Sequence, residues 1–243
     1  MRCGLLGKSL SHSYSPGIHN ALAEYDYALF EVAPEALDSF MRSEDFDGLN
    51  VTIPYKKAVI PYCSTLTPQA RRLGAVNTLV RQKDGSLLGD NTDYFGFEAT
   101  VKKTGLKVAD KKVLILGTGG AAETVHAVME DMGAKPVFIS RTGENNYRNL
   151  QLHQDAAVIV NATPVGMYPN NGESPVNLDD FPCLEGVIDL IYNPANTALL
   201  MQARKRKIVA ENGLYMLVAQ AKQSAVCSSE SFSSGTVRFE TMV

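Results

Sequence analysis

The sequence has no excess of basic residues. Lys and Arg number 23 against 26 Asp and Glu, a net charge of -3, so the positive footprint of a nucleic-acid-binding protein is missing. Nowhere do about 18 apolar residues run together, which excludes a membrane-spanning helix. The apolar run at Met1–Gly7 is too short for a secretory leader, and a cytoplasmic protein is expected. Cysteine is sparse and scattered: Cys3, Cys63, Cys183 and Cys227 form no C-x-x-C pair, so thiols in a reducing compartment are expected. His12, His19, His126 and His153 form no H-E-x-x-H, and no metal site is expected. The absence of G-x-S-x-G and of G-x-x-x-x-G-K-[ST] argues against a common serine hydrolase or a P-loop NTPase.

What is present is an alternation of strands and helices. Residues 2–6 and 27–32 read as strands, and Pro34 opens a helix with Leu37, Phe40 and Met41 on one face. In Leu49-Asn50-Val51-Thr52-Ile53 apolar and polar residues alternate, the period of a half-buried strand, and Pro54 ends its pairing. Lys56 then sits just beyond a strand end, where open α/β sheets bind ligands; the local pattern fits a solvated surface lysine as well. Ser11, His12, Ser13 and Ser15 lie beside a helix opened by Ser15-Pro16, so the serines serve either as caps and turn formers or as an anion site. Thr67-Pro68 opens another helix, and Asp84-Gly85 signals a hairpin. Asn77 and Asp93 fall near strand ends, as turn formers or as ligands, and a helix runs from Asp93 through Val101 toward Gly105.

The second half opens on a continuous apolar strand, Lys112–Leu116, followed at once by Gly117-Thr118-Gly119-Gly120-Ala121-Ala122. This is G-x-G-x-x-A between a strand and a helix, the context in which glycines let backbone approach a pyrophosphate at a helix N-terminus. Ala121, Ala122, Val125, Val128, Met129 and Met132 mark the stripe of that helix, and Gly133 stops it. The next strand, 136–140, runs into Arg141-Thr142. An acid about 20 residues past the fingerprint binds the ribose 2′-hydroxyl of NAD, whereas a cation accommodates a 2′-phosphate; the region offers Arg141, so NADP is predicted. Further strands are expected at 156–160, 186–192 and 207–210, with a helix around 197–205 and a final helix bearing Leu214, Leu217, Val218 and Ala221. From Cys227 to Gly235 the chain is serine-rich and reads as a loose tail or an irregular cap. Only 18 residues, 143–160, separate Thr142 from Asn161, too few for a full nucleotide-binding half, so at least one element is shortened or missing.

These pieces together resemble the shikimate dehydrogenase family over residues 4–224. The resemblance is carried by Ser11-His12-Ser13-Tyr14-Ser15-Pro16 with His19-Asn20, Asn50–Lys56, Gly74–Thr78, Gly89-Asp90-Asn91-Thr92-Asp93, Gly117–Ala121, Asn161–Pro164 with Gly166-Met167, and Gly213–Leu217 with Gln220. It implies an α/β fold: an N-terminal α/β substrate and catalytic domain over 1–95, a shortened Rossmann NADP-binding domain over 96–213, and a C-terminal helix, within 214–243, returning to the first domain. It implies that Lys56 and Asp93 form the catalytic pair and that Ser13 and Ser15 hold the substrate carboxylate. Thr52, Asn77, Tyr192 and Gln220 would meet ring substituents and the reacting carbonyl. Gly117, Gly119, Gly120, Ala121, Arg141, Thr142, Thr163, Leu190 and Gly213 would bind the cofactor. The implied reaction is the reversible NADPH-dependent reduction of 3-dehydroshikimate to shikimate, in aromatic amino-acid biosynthesis, by a monomer or homodimer. The alternatives are a quinate or NAD-using relative and a non-catalytic nucleotide-binding protein.

Overall fold

The computed structural model of the 243-residue chain describes residues 1–10, 13–22, 24–43 and 45–231, with side chains to residue 225. It divides into two compact units, Met1–Phe95 with Val218–Val243, and Gly96–Leu217. No helix among the described residues is long and apolar enough to cross a membrane.

In the first unit strand β1 (Arg2–Gly7) leads through helix α1 (Ser15–Leu22) to β2 (Asp26–Glu31), its parallel neighbour. A 3-10 turn at Pro34–Ala36 precedes α2 (Leu37–Arg42), whose Leu37 and Met41 are buried one turn apart, and β3 (Gly48–Val51) then pairs in parallel on the other side of β1. β4 (Thr65–Leu66), α3 (Pro68–Leu73), β5 (Thr78–Arg81), β6 (Leu87–Asp90) and α4 (Thr92–Thr104) follow. Thr67 caps α3 by accepting from the Ala70 amide at 3.2 Å. Gly85, at φ 85°, sits in the turn of the antiparallel β5–β6 hairpin. The sheet order is β2-β1-β3-β5-β6-β4. Because β5 runs against β3 and β6, the carboxyl ends of β1, β3 and β6 and the start of β5 share one sheet edge: Asn50 faces Thr78, and Thr78 faces Asp90. Leu6, Leu49, Val51, Val59, Val76 and Leu79 fill the core beneath.

Strand β3 departs from the half-buried reading. All four of its residues are buried, pairing ends at Val51, and Ile53 is 78% exposed. The alternation misled because Asn50 is a buried polar residue with its hydrogen bonds satisfied. Its amide donates to Ser224 Oγ at 2.8 Å and Thr78 Oγ1 at 3.4 Å, and its oxygen accepts from Tyr27 OH at 2.8 Å. Helix α1 is held in the same neighbourhood by His19, which is 1% exposed, stacks on Tyr27 at 4.1 Å and meets Tyr25 OH through Nδ1 at 2.5 Å. Burial pulls the His19 pKa down to about 4.

The second unit begins with β7 (Lys112–Leu116), α5 (Gly120–Asp131) and β8 (Lys135–Ile139). It continues with β9 (Val158–Asn161), β10 (Gly186–Asp189), α6 (Ala198–Lys205), β11 (Val209–Glu211) and the start of α7 (Leu214–Ser231). The sheet is parallel throughout, in the order β11-β10-β9-β7-β8. Against the familiar doubly wound order 3-2-1-4-5-6, the outer strand is gone and β8 has become the edge. Between β8 and β9 the described chain holds one 3-10 turn, Leu150–His153, and a single bridge from Ser140 to Asn146. Pro136 carries the sequence signal for this, since a residue without an N–H tolerates an edge strand and not a central one.

Two further readings are corrected. Helix α5 buries Ala122, Thr124, Val125, Ala127, Val128 and Met129, whereas Ala121 is exposed in the first turn. The serine-rich stretch is not irregular from Cys227: α7 continues to Ser231, carried by buried Ala221, Ser224 and Ala225 at i, i+3 and i+4, and serine costs a helix little. The rest of that stretch, like Ser11 and His12, lies outside the described residues.

Two stability measurements check these placements. Asn50→Ala strands the partners of a buried carboxamide and should lower the unfolding free energy by about 1–3 kcal/mol, whereas Ile53→Ser should change it by under about 0.5 kcal/mol; denaturant titration showing the reverse order would restore the half-buried reading. For His19 the folded pKa lies below the ordinary 6.5, so on acidification the unfolded chain takes up the proton first. The contribution is present above pH 6.5, falls by up to about 3 kcal/mol as the pH drops toward 4, and should vanish in His19→Phe. Unfolding free energies of the two proteins should therefore converge or diverge across that window; a constant difference contradicts the burial argument.

Candidate active site

Lys56 is delivered to the sheet edge by a segment tied down at three points. The Thr52 amide donates to the Leu6 carbonyl at 2.9 Å and the Tyr55 amide to the Thr52 carbonyl at 2.9 Å, while the Lys56 carbonyl accepts from the Val76 amide at 2.8 Å. The Tyr55 ring is buried and its hydroxyl donates to the Val32 carbonyl. Asp93 arrives from the other side, in the first turn of α4, where the helix dipole favours a carboxylate. Lys56 Nζ and Asp93 Oδ2 lie 2.6 Å apart, and the two side chains keep 31% and 19% of their surface exposed. An ammonium held this way has a fixed direction and remains open to a reactant.

Asn77 organises the start of α4. Its buried Oδ1 accepts from the Thr92 amide at 2.7 Å and from the Thr78 hydroxyl at 3.1 Å. The Thr92 hydroxyl also reaches Gln220 Oε1, on α7, at 3.4 Å. Asn77 before β5, Asp93 in the first turn of α4, Lys56 in the turn after β3 and Gln220 within α7 are thus brought to one neighbourhood by Thr92 and the Lys56–Asp93 bond. Thr52 stands beside the end of β1, since a Cβ on Gly7 would meet its methyl at 2.8 Å. Ser13 lies in the described part of the loop that follows the carboxyl end of β1 and Ser15 opens α1; both are half-buried. Ser13 Oγ accepts from the Ser15 amide at 3.2 Å, so Ser13 rather than Ser15 does the local capping. Sequence reading missed the layer underneath, Tyr27, Asn50, Thr78, Thr92 and Ser224. Asn50 amid Leu49 and Val51 was the available signal.

In the second unit the edge formed by the ends of β7 and β9 is a topological switch point, because the chain runs from β7 outward to β8 and then back to β9 on the other side. Gly117 has φ 105°, a conformation that favours glycine, and an added Cβ would lie 3.1 Å from Thr163 Cγ2 and 3.2 Å from the Ala162 carbonyl. Gly119, the residue before α5, offers no side-chain cap, and nothing lies within 4 Å of where a Cβ would stand on Gly119 or Gly120. The first amides of α5 precede the first intrahelical bond, from the Glu123 amide to the Gly119 carbonyl at 3.1 Å, and the space beside Gly119 and Gly120 is open, an arrangement that suits a phosphate. Arg141 and Thr142 follow β8 and are exposed. Leu190 and Gly213 are in close backbone contact that leaves no room for a Cβ on Gly213. Tyr192 stands three residues past β10, exposed, in this second unit.

Known proteins resemble this chain in sequence and in fold. A family model, the shikimate dehydrogenase substrate binding domain, matches residues 5–79. A shikimate dehydrogenase (NADP(+)) of Caldicellulosiruptor bescii is 40% identical, over 89% of this chain and 85% of its own. Among solved structures, a chorismate mutase/shikimate 5-dehydrogenase fusion protein from Clostridium acetobutylicum has a TM-score of 0.88 at 37% identity, covering 94% of this chain and 90% of that one. The shikimate 5-dehydrogenase of Thermus thermophilus in complex with NADP(H) and shikimate has a TM-score of 0.85 at 30% identity, covering 95% and 94%. With sequence identity of this order along nearly its whole length, the chain belongs to the shikimate dehydrogenase family.

Proposed function

We propose that this protein is an NADP-dependent oxidoreductase that interconverts 3-dehydroshikimate and shikimate. The observation that carries the reading is the 2.6 Å bond between Lys56 Nζ and Asp93 Oδ2, at the sheet edge formed by the carboxyl ends of β1, β3 and β6. NADPH, when bound, supplies a hydride to the carbonyl carbon. Negative charge then grows on the carbonyl oxygen, and a positioned ammonium both stabilises that charge and donates the proton. Lys56 is assigned that role; in the reverse direction its amine accepts the proton from the alcohol. Asp93 keeps the ammonium aimed. Ser13 and Ser15 are assigned to the substrate carboxylate, and Thr52, Asn77 and Gln220 to ring substituents. Tyr192 is assigned to the substrate on its sequence match alone. Gly117, Gly119, Gly120 and Ala121 would receive the pyrophosphate, Arg141 and Thr142 the 2′-phosphate, and Thr163, Leu190 and Gly213 the rest of the cofactor. The free thiols of Cys3, Cys63 and Cys183 support a reducing, cytoplasmic location.

The test is steady-state turnover followed at the nicotinamide absorbance, with shikimate or quinate as substrate and NADP or NAD as cofactor. The reading predicts the highest kcat/KM for shikimate with NADP. It also predicts that Lys56→Met lowers kcat by roughly 100- to 10,000-fold with NADPH binding little changed. Preference for quinate with NAD would change the substrate assignment, and near-normal turnover by Lys56→Met would remove the lysine from the chemistry.

A further inference from the structure

Asp189 is a carboxylate with no exposed surface, at the end of β10, and the proton transfer assigned to Lys56 has no use for it. Burying such a group is unfavourable unless its lone pairs are filled. Here three donors fill them: Asn161 Nδ2 at 3.0 Å and the Ile191 amide at 3.1 Å on Oδ1, and the Thr197 hydroxyl at 2.7 Å on Oδ2. Burial raises the Asp189 pKa above the usual carboxylate range, and the three donors offset only part of that rise. Each donor belongs to a different piece of the cofactor-side edge: the end of β9, the bend after β10, and the residue that caps α6 through the Leu200 amide at 3.3 Å.

The Asn161 link has a directional consequence. A carboxylate only accepts, so it takes the amide nitrogen of Asn161 and leaves Oδ1 turned toward Thr163. That oxygen accepts from the Thr163 amide at 3.0 Å and the Thr163 hydroxyl at 2.7 Å. Thr163 Oγ1 in turn accepts from the Val165 amide at 3.2 Å. The Thr163 methyl lies 3.1 Å from where a Cβ on Gly117 would stand, so the string ends against the glycine turn. On its other side the Ile191 amide fixes the bend that carries Leu190, whose carbonyl abuts Gly213.

We propose that Asp189 is a positioning residue for the cofactor: it sets the orientation of the Asn161 amide, and through it holds Thr163 against the Gly117 turn while fixing the Leu190 bend. The inference rests on the reading of Gly117, Thr163 and Leu190 as cofactor residues. Removing the carboxylate weakens NADPH binding and leaves the Lys56 proton chemistry intact at saturating cofactor. Asn161 and Thr197 share the task, and Thr197→Ser, which keeps the hydroxyl, preserves it.

The experiment measures the NADPH dissociation constant by fluorescence titration of the full-length protein, together with KM for each substrate and kcat. Wild type is compared with Asp189→Asn, Thr197→Val and Thr197→Ser. Expected is a rise of roughly tenfold or more in NADPH Kd and KM for Asp189→Asn, a smaller rise for Thr197→Val and none for Thr197→Ser, with kcat and the shikimate KM within about twofold of wild type. A folded Asp189→Asn with unchanged NADPH Kd overturns the inference, as does a fall in kcat with both KM values unchanged. If Asp189→Asn fails to fold, the threonine pair decides: equal Kd for Thr197→Val and Thr197→Ser overturns it. Failure of wild type to bind NADPH would instead defeat the cofactor-site reading on which the inference stands.

Discussion

The candidate site of the first unit depends on one bond between charges, Lys56 to Asp93, and on the sheet topology that forces the two groups to meet. They are 37 positions apart and arrive from different elements, a turn after β3 and the first turn of α4. A mixed sheet makes this possible. Because β5 is antiparallel to both its neighbours, the ends of β3 and β6 fall on the same edge, and Asn77 at the start of β5 stands between them, bonded to the backbone from which α4 starts. Below that edge lies the Tyr27–Asn50–Ser224 string, which ties the centre of the sheet to α7, the same helix that supplies Gln220. A pair this exposed gains little stability from its Coulomb attraction. Its value lies in direction: an ammonium whose position is determined by three backbone hydrogen bonds and one carboxylate.

The second unit reaches its purpose with fewer parts than the doubly wound arrangement usually has. Losing the outer strand leaves β8 as an edge, yet the switch point between β7 and β9 survives because it depends only on which strands flank β7. What remains at that edge is a glycine turn, an uncapped helix start and a buried carboxylate gathering the neighbouring strand ends. The Ser140–Asn146 stretch that replaces the lost elements is bonded to itself, with the Gly143 amide donating to Ser140 Oγ at 2.6 Å and Asn146 Nδ2 donating to the Gly143 carbonyl at 2.8 Å. Side-chain turns of this kind satisfy backbone that a longer element would otherwise pair.

Much of this was legible in the chain, for reasons that differ by residue. The β7–glycine–α5 unit was plain because a continuous apolar strand, a glycine turn and a helical stripe each carry their own signal and occur in a fixed order. The Thr67 cap and the Asp84-Gly85 turn were plain because their chemistry is local. Strand β3 was misread because alternation assumes that polar residues face water, and Asn50 instead faces Tyr27, Thr78 and Ser224, the last of them 174 positions away. The length of α7 was missed for a related reason: serine composition suggests irregular chain, while the buried Ala221–Ser224–Ala225 stripe that sustains the helix is short and weakly apolar. Asp189 went unnoticed because a buried carboxylate looks like any other aspartate until its donors are known.

If Lys56 and Asp93 act as one unit, a double-mutant cycle on kcat reads out their coupling. Wild type, Lys56→Ala, Asp93→Ala and the double variant would be compared with saturating shikimate and NADP. If Asp93 works by holding the ammonium, its loss matters little once the ammonium is gone, and the double variant should be about as slow as Lys56→Ala alone. Losses that multiply, leaving the double variant slower by the product of the two single effects, would show two independent residues and contradict the account.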